Sequence, residues 1–178
     1  VVTLRGGGVA RVRPDGSDLE IYSYHTRNIC DIAISPKLDL FTRDNTNDGK
    51  GWNIRVHHLT NGSEHGYPRL YKNFTEEAVK PILDLGGGSG TGALYLAEPG
   101  HDELLLTCDW TTGKIYNDKV SEKGSSYSLK ESVYMNLPRA IDVDVDGSGN
   151  LFVCDWRGGR FKFAGKGKRV GTVSYTHL

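Results

Sequence analysis

The chain consists of short stretches in which apolar and polar residues alternate, separated by clusters of Gly, Asp, Asn and Pro. One such stretch covers residues 142–145, turns at 146–150 and continues over 151–154. Alternation with a period of two places successive side chains on opposite faces of a strand, and the turn residues supply the dihedral angles of tight reversals. The pattern predicts an antiparallel meander. It disfavours a parallel α/β fold, which needs helical segments of about 10–15 residues between its strands.

The same unit recurs along the chain. Residues 105–110 (LLTCDW) match residues 151–156 (LFVCDW) without a gap at an offset of 46, and residues 40–45 (LFTRDN) match the last copy at an offset of 111. A period of about 40–50 residues with four strands per unit is typical of a β-propeller blade. A β-sandwich gives no reason for such offsets.

The repeats divide the chain into an all-β propeller fragment of about three to three and a half four-stranded blades. The predicted domain, residues 1–172, comprises a blade tail (1–24), a blade with an insertion (27–80), a blade (82–134) and an incomplete blade (138–170). One short helix, from Thr75 through Val79, is predicted inside the insertion. Residues 173–178 resemble a translated sequencing-adapter tail, so we expect them to be non-native.

Polar residues recur in the loops that should share one end of the blades. In a four-stranded meander, the loop that leads into the innermost strand (the lead-in loop) and the loop between the second and third strands lie on the same face. These loops hold the candidate binding residues of the propeller mouth, which are Arg27, Asn28, Asp44, Asn45, Asp109, Trp110, Arg139, Asp155, Trp156 and Arg157. Binding sites commonly lie on such loops. Asp109 and Asp155 recur at matched positions, which favours a structural role in each turn.

A metal site is a second candidate. The loop 44–49 (DNTNDG) resembles the start of a calcium loop, with Asp48 as a ligand beside loop carbonyls. The EF-hand pattern fails because its twelfth position is Arg55, and an ordinary Asn/Asp turn remains the alternative. His57 and His58 are adjacent, so on a strand they face opposite sides and cannot bind one metal together.

Composition narrows the function classes. The chain has 22 basic and 22 acidic residues, so its charge gives no reason to expect nucleic acid or an anionic membrane as a partner. Its apolar runs are far shorter than the roughly 20 residues of a membrane helix. The 23 glycines fit many tight turns. The three cysteines lack zinc-type spacing and are interpreted as small buried thiols.

Specific motifs carry a family resemblance. Residues 138–144 together with 151–155 resemble an NHL-type propeller blade. The order of residues 7–16 (GGVARVRPDG), Arg27-Asn28, residues 40–45 and residues 65–68 (HGYP) resembles the quinoprotein glucose/sorbosone dehydrogenases, nearest a group of large bacterial proteins labelled membrane-bound dehydrogenases. The resemblance covers roughly residues 5 to 165.

The resemblance implies a six-bladed ring with pyrroloquinoline quinone (PQQ) and calcium on its axis. The family's Arg-Asn pair, which contacts the quinone, maps onto Arg27 and Asn28, and its calcium-binding carbonyls map onto Thr46 and Asn47. The acid-His-Gly-Pro run of the sugar dehydrogenases is replaced here by Asp-Asn-Thr-Asn at 44–47. No residue matches the family's catalytic His, which we expect upstream of Val1.

The resemblance further implies a periplasmic or secreted dehydrogenase that oxidises a sugar or alcohol and passes electrons to an acceptor such as a cytochrome. Two alternatives stay open. The first is a non-catalytic propeller that binds carbohydrate or protein at the same mouth. The second is a calcium-dependent lactonase-type propeller.

Overall fold

The computed structural model describes residues 3–45 and 53–156 and the strand at 172–177, for which only the backbone is considered. These residues fold into strands with one short α-helix. In chain order these are β1 (Gly7–Arg11), β2 (Glu20–Thr26), β3 (Ala33–Ile34), β4 (Leu40–Asp44), β5 (Ile54–Leu59), β6 (Ser63–Glu64), α1 (Leu70–Asn73), β7 (Leu83–Gly86), β8 (Gly90–Leu96), β9 (Leu104–Asp109), β10 (Lys114–Lys123), β11 (Ser126–Asn136), β12 (Ala140–Val145), β13 (Asn150–Asp155) and β14 (Thr172–His177).

The strands form four separate sheets, which we call blades I to IV. Blade I pairs β1 with β2, and β6 joins β2 in parallel. Blade II is the antiparallel series β3-β4-β5-β7, blade III is β8-β9-β10-β11, and blade IV is β12-β13-β14. The all-β class and the propeller-fragment architecture predicted from the repeats are confirmed.

The boundary between blades II and III differs from the prediction. Residues 83–86, which the repeat pattern assigned to the third blade, form β7 and complete blade II, because Leu83 pairs with Val56 and Gly86 pairs with Ile54. Blade III therefore begins at Gly90 rather than at 82. The insertion between β5 and β7 hid this pairing, since it separates neighbouring strands by residues that belong to no repeat.

The insertion and the last strand also refine the prediction. Residues 75–77 form a single 3-10 turn rather than a helix through Val79, and α1 precedes it. The segment 172–177 pairs in antiparallel register with β13 as the third strand of blade IV. The interpretation of residues 173–178 as a non-native tail stays a prediction, since strand pairing does not reveal where a sequence comes from.

Alternation along β9 connects three blades. Leu105 belongs to an apolar cluster with Phe41 and Ala33 of blade II, whereas Leu106 belongs to a cluster with Val143 and Leu151 of blade IV. The two leucines are adjacent and almost fully buried. Because neighbouring side chains on a strand point to opposite faces, one strand packs against both adjoining blades. Each buried leucine contributes roughly 1.5–3 kcal/mol to folding.

The cysteines occupy three different environments. Cys108 is buried in the cluster between blades III and IV, and burial raises the pKa of its thiol to about 12. Cys154 is half-buried, and Cys30 is exposed. The expectation of small buried thiols thus holds fully for Cys108 alone and is wrong for Cys30. In the described part of the chain no helix is long and apolar enough to cross a membrane.

Candidate functional site

An aspartate at the end of the second strand of blade II organises the lead-in loop of the same blade. The two carboxylate oxygens of Asp44 accept hydrogen bonds from the backbone N–H groups of Arg27 (2.8 Å) and Asn28 (2.7 Å). Oδ1 also accepts from the N–H of Asn45. The Asp44 side chain is fully buried. It therefore holds Arg27, which is half-buried, and Asn28, which is exposed, in a fixed loop geometry.

Blade III repeats this arrangement. Oδ1 of the buried Asp109 accepts from the N–H groups of Ser89 (3.2 Å) and Thr112 (2.9 Å), and the N–H of Trp110 donates to the Ser89 carbonyl (2.8 Å). A Cβ at Gly88 would lie 2.4 Å from Oδ2 of Asp109. The glycine-rich lead-in loop thus lets the backbone pass close to the carboxylate.

Blade IV has the corresponding contacts. The N–H of Trp156 donates to the carbonyl of Arg139 (3.0 Å), and Asp155 pairs with Ala140 across the two strands. The Arg139 guanidinium carbon lies 5.1 Å from the centre of the Trp110 ring of blade III. This stacking joins the mouth-side loops of adjacent blades.

The predicted loop pairs therefore lie at one end of each blade. The lead-in loop and the second-to-third loop contact each other in blades II, III and IV, as the meander argument required. Ligand binding at this end stays a prediction. Thr46, Asn47, Asp48 and Arg157 lie outside the described residues. Among the residues that are described, no group of three His, Cys, Asp or Glu side chains could hold a metal ion.

Arg43 is a residue that the sequence reasoning missed. It extends from β4 of blade II into blade III, where its guanidinium lies 3.4 Å from Asp109 and 2.5 Å from Glu131, with only 2% of its side chain exposed. It also stacks over the Tyr116 ring at 4.6 Å. A single arginine in the otherwise uncharged strand segment 40–43 was the available signal. The contact couples the Asp109 loop to the neighbouring blade.

Two buried histidines, His57 and His65, lie next to Asp44, with His57 in contact with its carboxylate and His65 packed against His57. Nε2 of His57 lies 3.7 Å from Oδ2 of Asp44, and the rings of His57 and His65 are 4.5 Å apart. Burial lowers the pKa of His65 to about 3, so its ring is neutral at physiological pH. Its Nε2 atom forms a hydrogen bond of 2.9 Å with the hydroxyl of Ser63. His58 faces the other side of the strand and stacks on Phe41, as predicted for adjacent strand residues.

The charge state of Asp44 follows from these neighbours. Burial alone would raise the pKa of its carboxyl group, but His57 and the N–H groups of Arg27 and Asn28 together bring it below its ordinary value. Asp44 is therefore ionised at neutral pH. An ionised carboxylate makes stronger hydrogen bonds to backbone N–H groups than a neutral acceptor does. The backbone of the Arg27-Asn28 loop is thus held by hydrogen bonds to a carboxylate that is charged at neutral pH.

Comparison with known proteins finds solved structures that share the fold of this chain. No protein-family model matches the chain, and no curated protein matches it. Among solved structures, an oxidoreductase described as a glucose dehydrogenase from Thermus thermophilus superposes with a TM-score of 0.70 at 20% identity, over 86% of this chain and 46% of that one. The PQQ-bound aldose sugar dehydrogenase of Streptomyces coelicolor superposes with a TM-score of 0.68 at 19% identity, over 96% of this chain and 52% of that one.

These likenesses establish the fold alone. The chain spans about half the length of the solved structures that it matches. Its four sheets therefore correspond to an arc of a propeller of this kind.

Proposed function

We propose that this chain is part of a quinoprotein dehydrogenase that oxidises a sugar or alcohol with PQQ. The observation that carries the proposal is the Arg27-Asn28 loop, whose backbone is locked by the buried carboxylate of Asp44 at the mouth of the propeller arc. The fold is shared with a PQQ-bound aldose sugar dehydrogenase. The motif order adds the resemblance to the glucose/sorbosone dehydrogenases.

The donor set of the mouth is compatible with this cofactor, which is planar and carries several carboxylates. Arg27 offers a guanidinium and Asn28 an exposed amide on the lead-in loop of blade II. Arg139, stacked on Trp110, adds a second cation on blade IV. Guanidinium groups bind carboxylates through paired hydrogen bonds, and indole rings pack well against flat ligands.

In this proposal the residues of the chain bind and orient, and do not themselves exchange protons with substrate. Arg27 neutralises negative charge on the cofactor, and Asn28 fixes its angle by donating and accepting hydrogen bonds. Asp44 keeps both residues in place, because its carboxylate holds their N–H groups while His57 stabilises its charge. The bound cofactor supplies the acceptor for a hydride from the alcohol carbon. The general base belongs to a part of the protein outside this chain.

The proposal also includes a calcium ion bound next to the cofactor. We place it at the loop of Thr46, Asn47 and Asp48, with backbone carbonyls and the Asp48 carboxylate as oxygen ligands. A cation there would lie next to the Asp44 loop in sequence and would add positive charge to the cofactor site. A cytochrome as electron acceptor and a periplasmic or secreted location complete the proposal, and both rest on the resemblance.

A non-catalytic propeller that binds carbohydrate is the second candidate. Trp110 and Trp156 follow matched aspartates at the mouth, and aromatic rings at such positions can stack on sugars. The lactonase alternative is less well supported, because the carboxylates of Asp44 and Asp109 are engaged with backbone N–H groups rather than open to an ion.

The proposal is tested by titrating the full-length protein with PQQ in a calorimeter, with and without added calcium. We expect binding that Arg27→Gln weakens at least tenfold, since it removes the charge and leaves the Asp44–backbone bonds in place. A matched control is Arg13→Gln, because Arg13 is exposed and pairs with Asp18 in a remote turn. Absence of binding in both conditions would contradict the proposal. Glycan binding without PQQ binding would favour the non-catalytic candidate.

A further inference from the structure

A cleft of about 290 Å³ lies between blade I and the segment that follows β6. Its walls include Arg5 and His25 together with Glu64, Tyr67 and Arg69. We call it the dyad cleft, after the contact between His25 and Glu64. None of the residues that line it belongs to the candidate mouth residues, so the proposed cofactor site leaves the cleft without a role.

A bulge in β2 takes the His25 side chain out of the regular alternation of the strand. The pairing of β2 with β1 includes Tyr24 and Thr26 but skips His25, which is the extra residue. Its φ is +56°, in the left-handed region that few non-glycine residues adopt. The N–H of Tyr67 donates to the His25 carbonyl (2.7 Å) and holds this conformation. Bulges commonly redirect a side chain next to a functional site, and here the redirected ring lines the dyad cleft.

Glu64 fixes the orientation of the His25 ring. Its Oε2 atom contacts Nδ1 of His25, and its Oε1 atom accepts a hydrogen bond from the N–H of Gly66 (2.8 Å). The two side chains are 32% and 30% exposed, so solvent and small molecules reach them. A carboxylate only accepts hydrogen bonds, so Nδ1 donates in this contact. Nε2 of His25 has no hydrogen bond with the part of the chain that the structure describes, and it remains for a ligand.

Two arginines add positive charge to the cleft. Arg5 precedes Gly6, whose backbone packs so closely on the opposite wall that a Cβ there would lie 3.3 Å from the Tyr67 carbonyl oxygen. Arg5 and Arg69 are exposed, and neither guanidinium forms an ion pair with another described residue. Glu64 does not neutralise them, because both of its oxygens are engaged by His25 and Gly66. Guanidinium groups with this freedom bind carboxylates and phosphates through paired hydrogen bonds.

We infer that the dyad cleft binds a small oxyanion, whose charge Arg5 and Arg69 neutralise and one of whose oxygens forms a hydrogen bond with Nε2 of His25. The Tyr67 ring and Leu70 also line the cleft, so the anionic group is carried on an apolar or ring-shaped body. The volume is at the lower end of the range for small-molecule sites, which limits the ligand to a small one. A carboxylate and a phosphate monoester share this chemistry, and experiment separates them. The inference does not rest on the proposed function.

The test is calorimetric titration of the full-length protein with phenyl phosphate and, separately, with benzoate. Benzyl alcohol serves as an uncharged probe of similar shape, and we expect it to bind at least tenfold more weakly than the better of the two anions. Tighter binding of phenyl phosphate assigns the cleft to phosphate monoesters, and tighter binding of benzoate assigns it to carboxylates. Equal binding of benzyl alcohol would overturn the inference, because the arginines would then contribute nothing.

The double variant Arg5→Gln/Arg69→Gln separates binding from folding. Both side chains are exposed, so we expect the thermal midpoint to stay within about 2 °C of the wild type while anion binding falls at least tenfold. His25→Gly should also weaken binding, since it removes the ring and leaves a residue that adopts the positive φ readily. Arg13→Gln is the matched control, because it removes an exposed arginine from a remote turn, and it should bind the anions as the wild type does.

Two results would assign the contact between His25 and Glu64 to structure alone. The first is a double variant that binds both anions as tightly as the wild type does. The second is a wild-type protein that binds neither anion. Either result overturns the inference and leaves the proposed function standing, because PQQ binding is measured separately and involves other residues.

Discussion

The two interfaces that flank blade III are built differently. Between blades III and IV lies a large cluster of buried apolar side chains, which includes Leu106, Ile115, Val143, Leu151 and Val153. Between blades II and III a smaller apolar cluster around Phe41 and Leu105 is accompanied by buried ionisable groups, with Arg43 among Asp109, Asp118 and Glu131.

The two interfaces therefore have different roles: one mainly stabilises the fold, and the other fixes the position of a loop relative to the neighbouring blade. An apolar interface gains free energy from burial alone, with little directional preference and little dependence on pH. The polar interface carries a desolvation cost, but it ties Asp109, which holds the lead-in loop of blade III, to a residue of the preceding blade. We interpret the III–IV interface as the main source of stability at this end of the arc, and the II–III interface as the one that fixes mouth geometry.

The largest expected effect comes from Arg43→Met. Removing the guanidinium leaves Asp109 and Glu131 without their cation, and breaking a buried ion pair from one side costs about 3–5 kcal/mol. We expect a loss of about 4 kcal/mol in the unfolding free energy of the full-length protein, measured by denaturant titration. Arg11→Met, which removes an exposed pair with Glu20, should change it by less than about 1 kcal/mol. Similar losses in both variants would contradict the assigned role of Arg43.

Leu151→Ala probes the apolar interface. Leu151 is fully buried between blades III and IV, and truncation of such a leucine costs about 2–5 kcal/mol because a cavity remains. We expect a loss of about 3 kcal/mol that is the same at about pH 5 and about pH 8. Leu38→Ala, at a side chain that is 75% exposed, is the matched control and should have almost no effect. If the loss of unfolding free energy in Leu151→Ala depended on pH, the proposed difference between the two interfaces would be contradicted.

Asp118→Asn should change the pH dependence of stability at the polar interface. Burial raises the pKa of Asp118 to about 6, while an ordinary Asp titrates near 3.8. Between these values the folded state binds more protons than the unfolded state, so stability falls as the pH rises from about 4 to 6 and stays low above that window. Asn keeps an oxygen for the Thr107 hydroxyl and cannot ionise. We expect the variant to lose this slope and to gain about 1–2 kcal/mol at about pH 7; an unchanged slope would contradict the account.

The sequence was sufficient for the repeating parts of the fold. Gapless offsets revealed the blades, and the adjacent Leu105 and Leu106 illustrate how period two places apolar side chains against both neighbours. Strand β7 was misassigned because the insertion interrupts the repeat, and pairing between β5 and β7 depends on contacts that span the insertion. Arg43 and His65 were missed for a related reason, since each meets its partners only after distant segments pack together.

The candidate site was predictable to a similar degree. Topology alone indicated that Arg27, Asn28, Asp44, Asp109 and Arg139 lie on loops at one end of the blades. The direction of the Asp44 carboxylate was not predictable, because its loop was also a candidate calcium site, whereas the recurrence of Asp109 already favoured a structural role in its turn. The structure directs them to the backbone N–H groups of their own lead-in loops, and the positive φ of Arg139 has no signature in the sequence.

A crystal structure of the full-length protein soaked with PQQ tests the central claim most directly. The account predicts a flat ligand at the mouth, with a polar atom within about 3.2 Å of the Arg27 guanidinium or the Asn28 amide, and with the Asp44–backbone bonds unchanged. Ligand density elsewhere on the molecule, or an empty mouth at saturating PQQ, would contradict it.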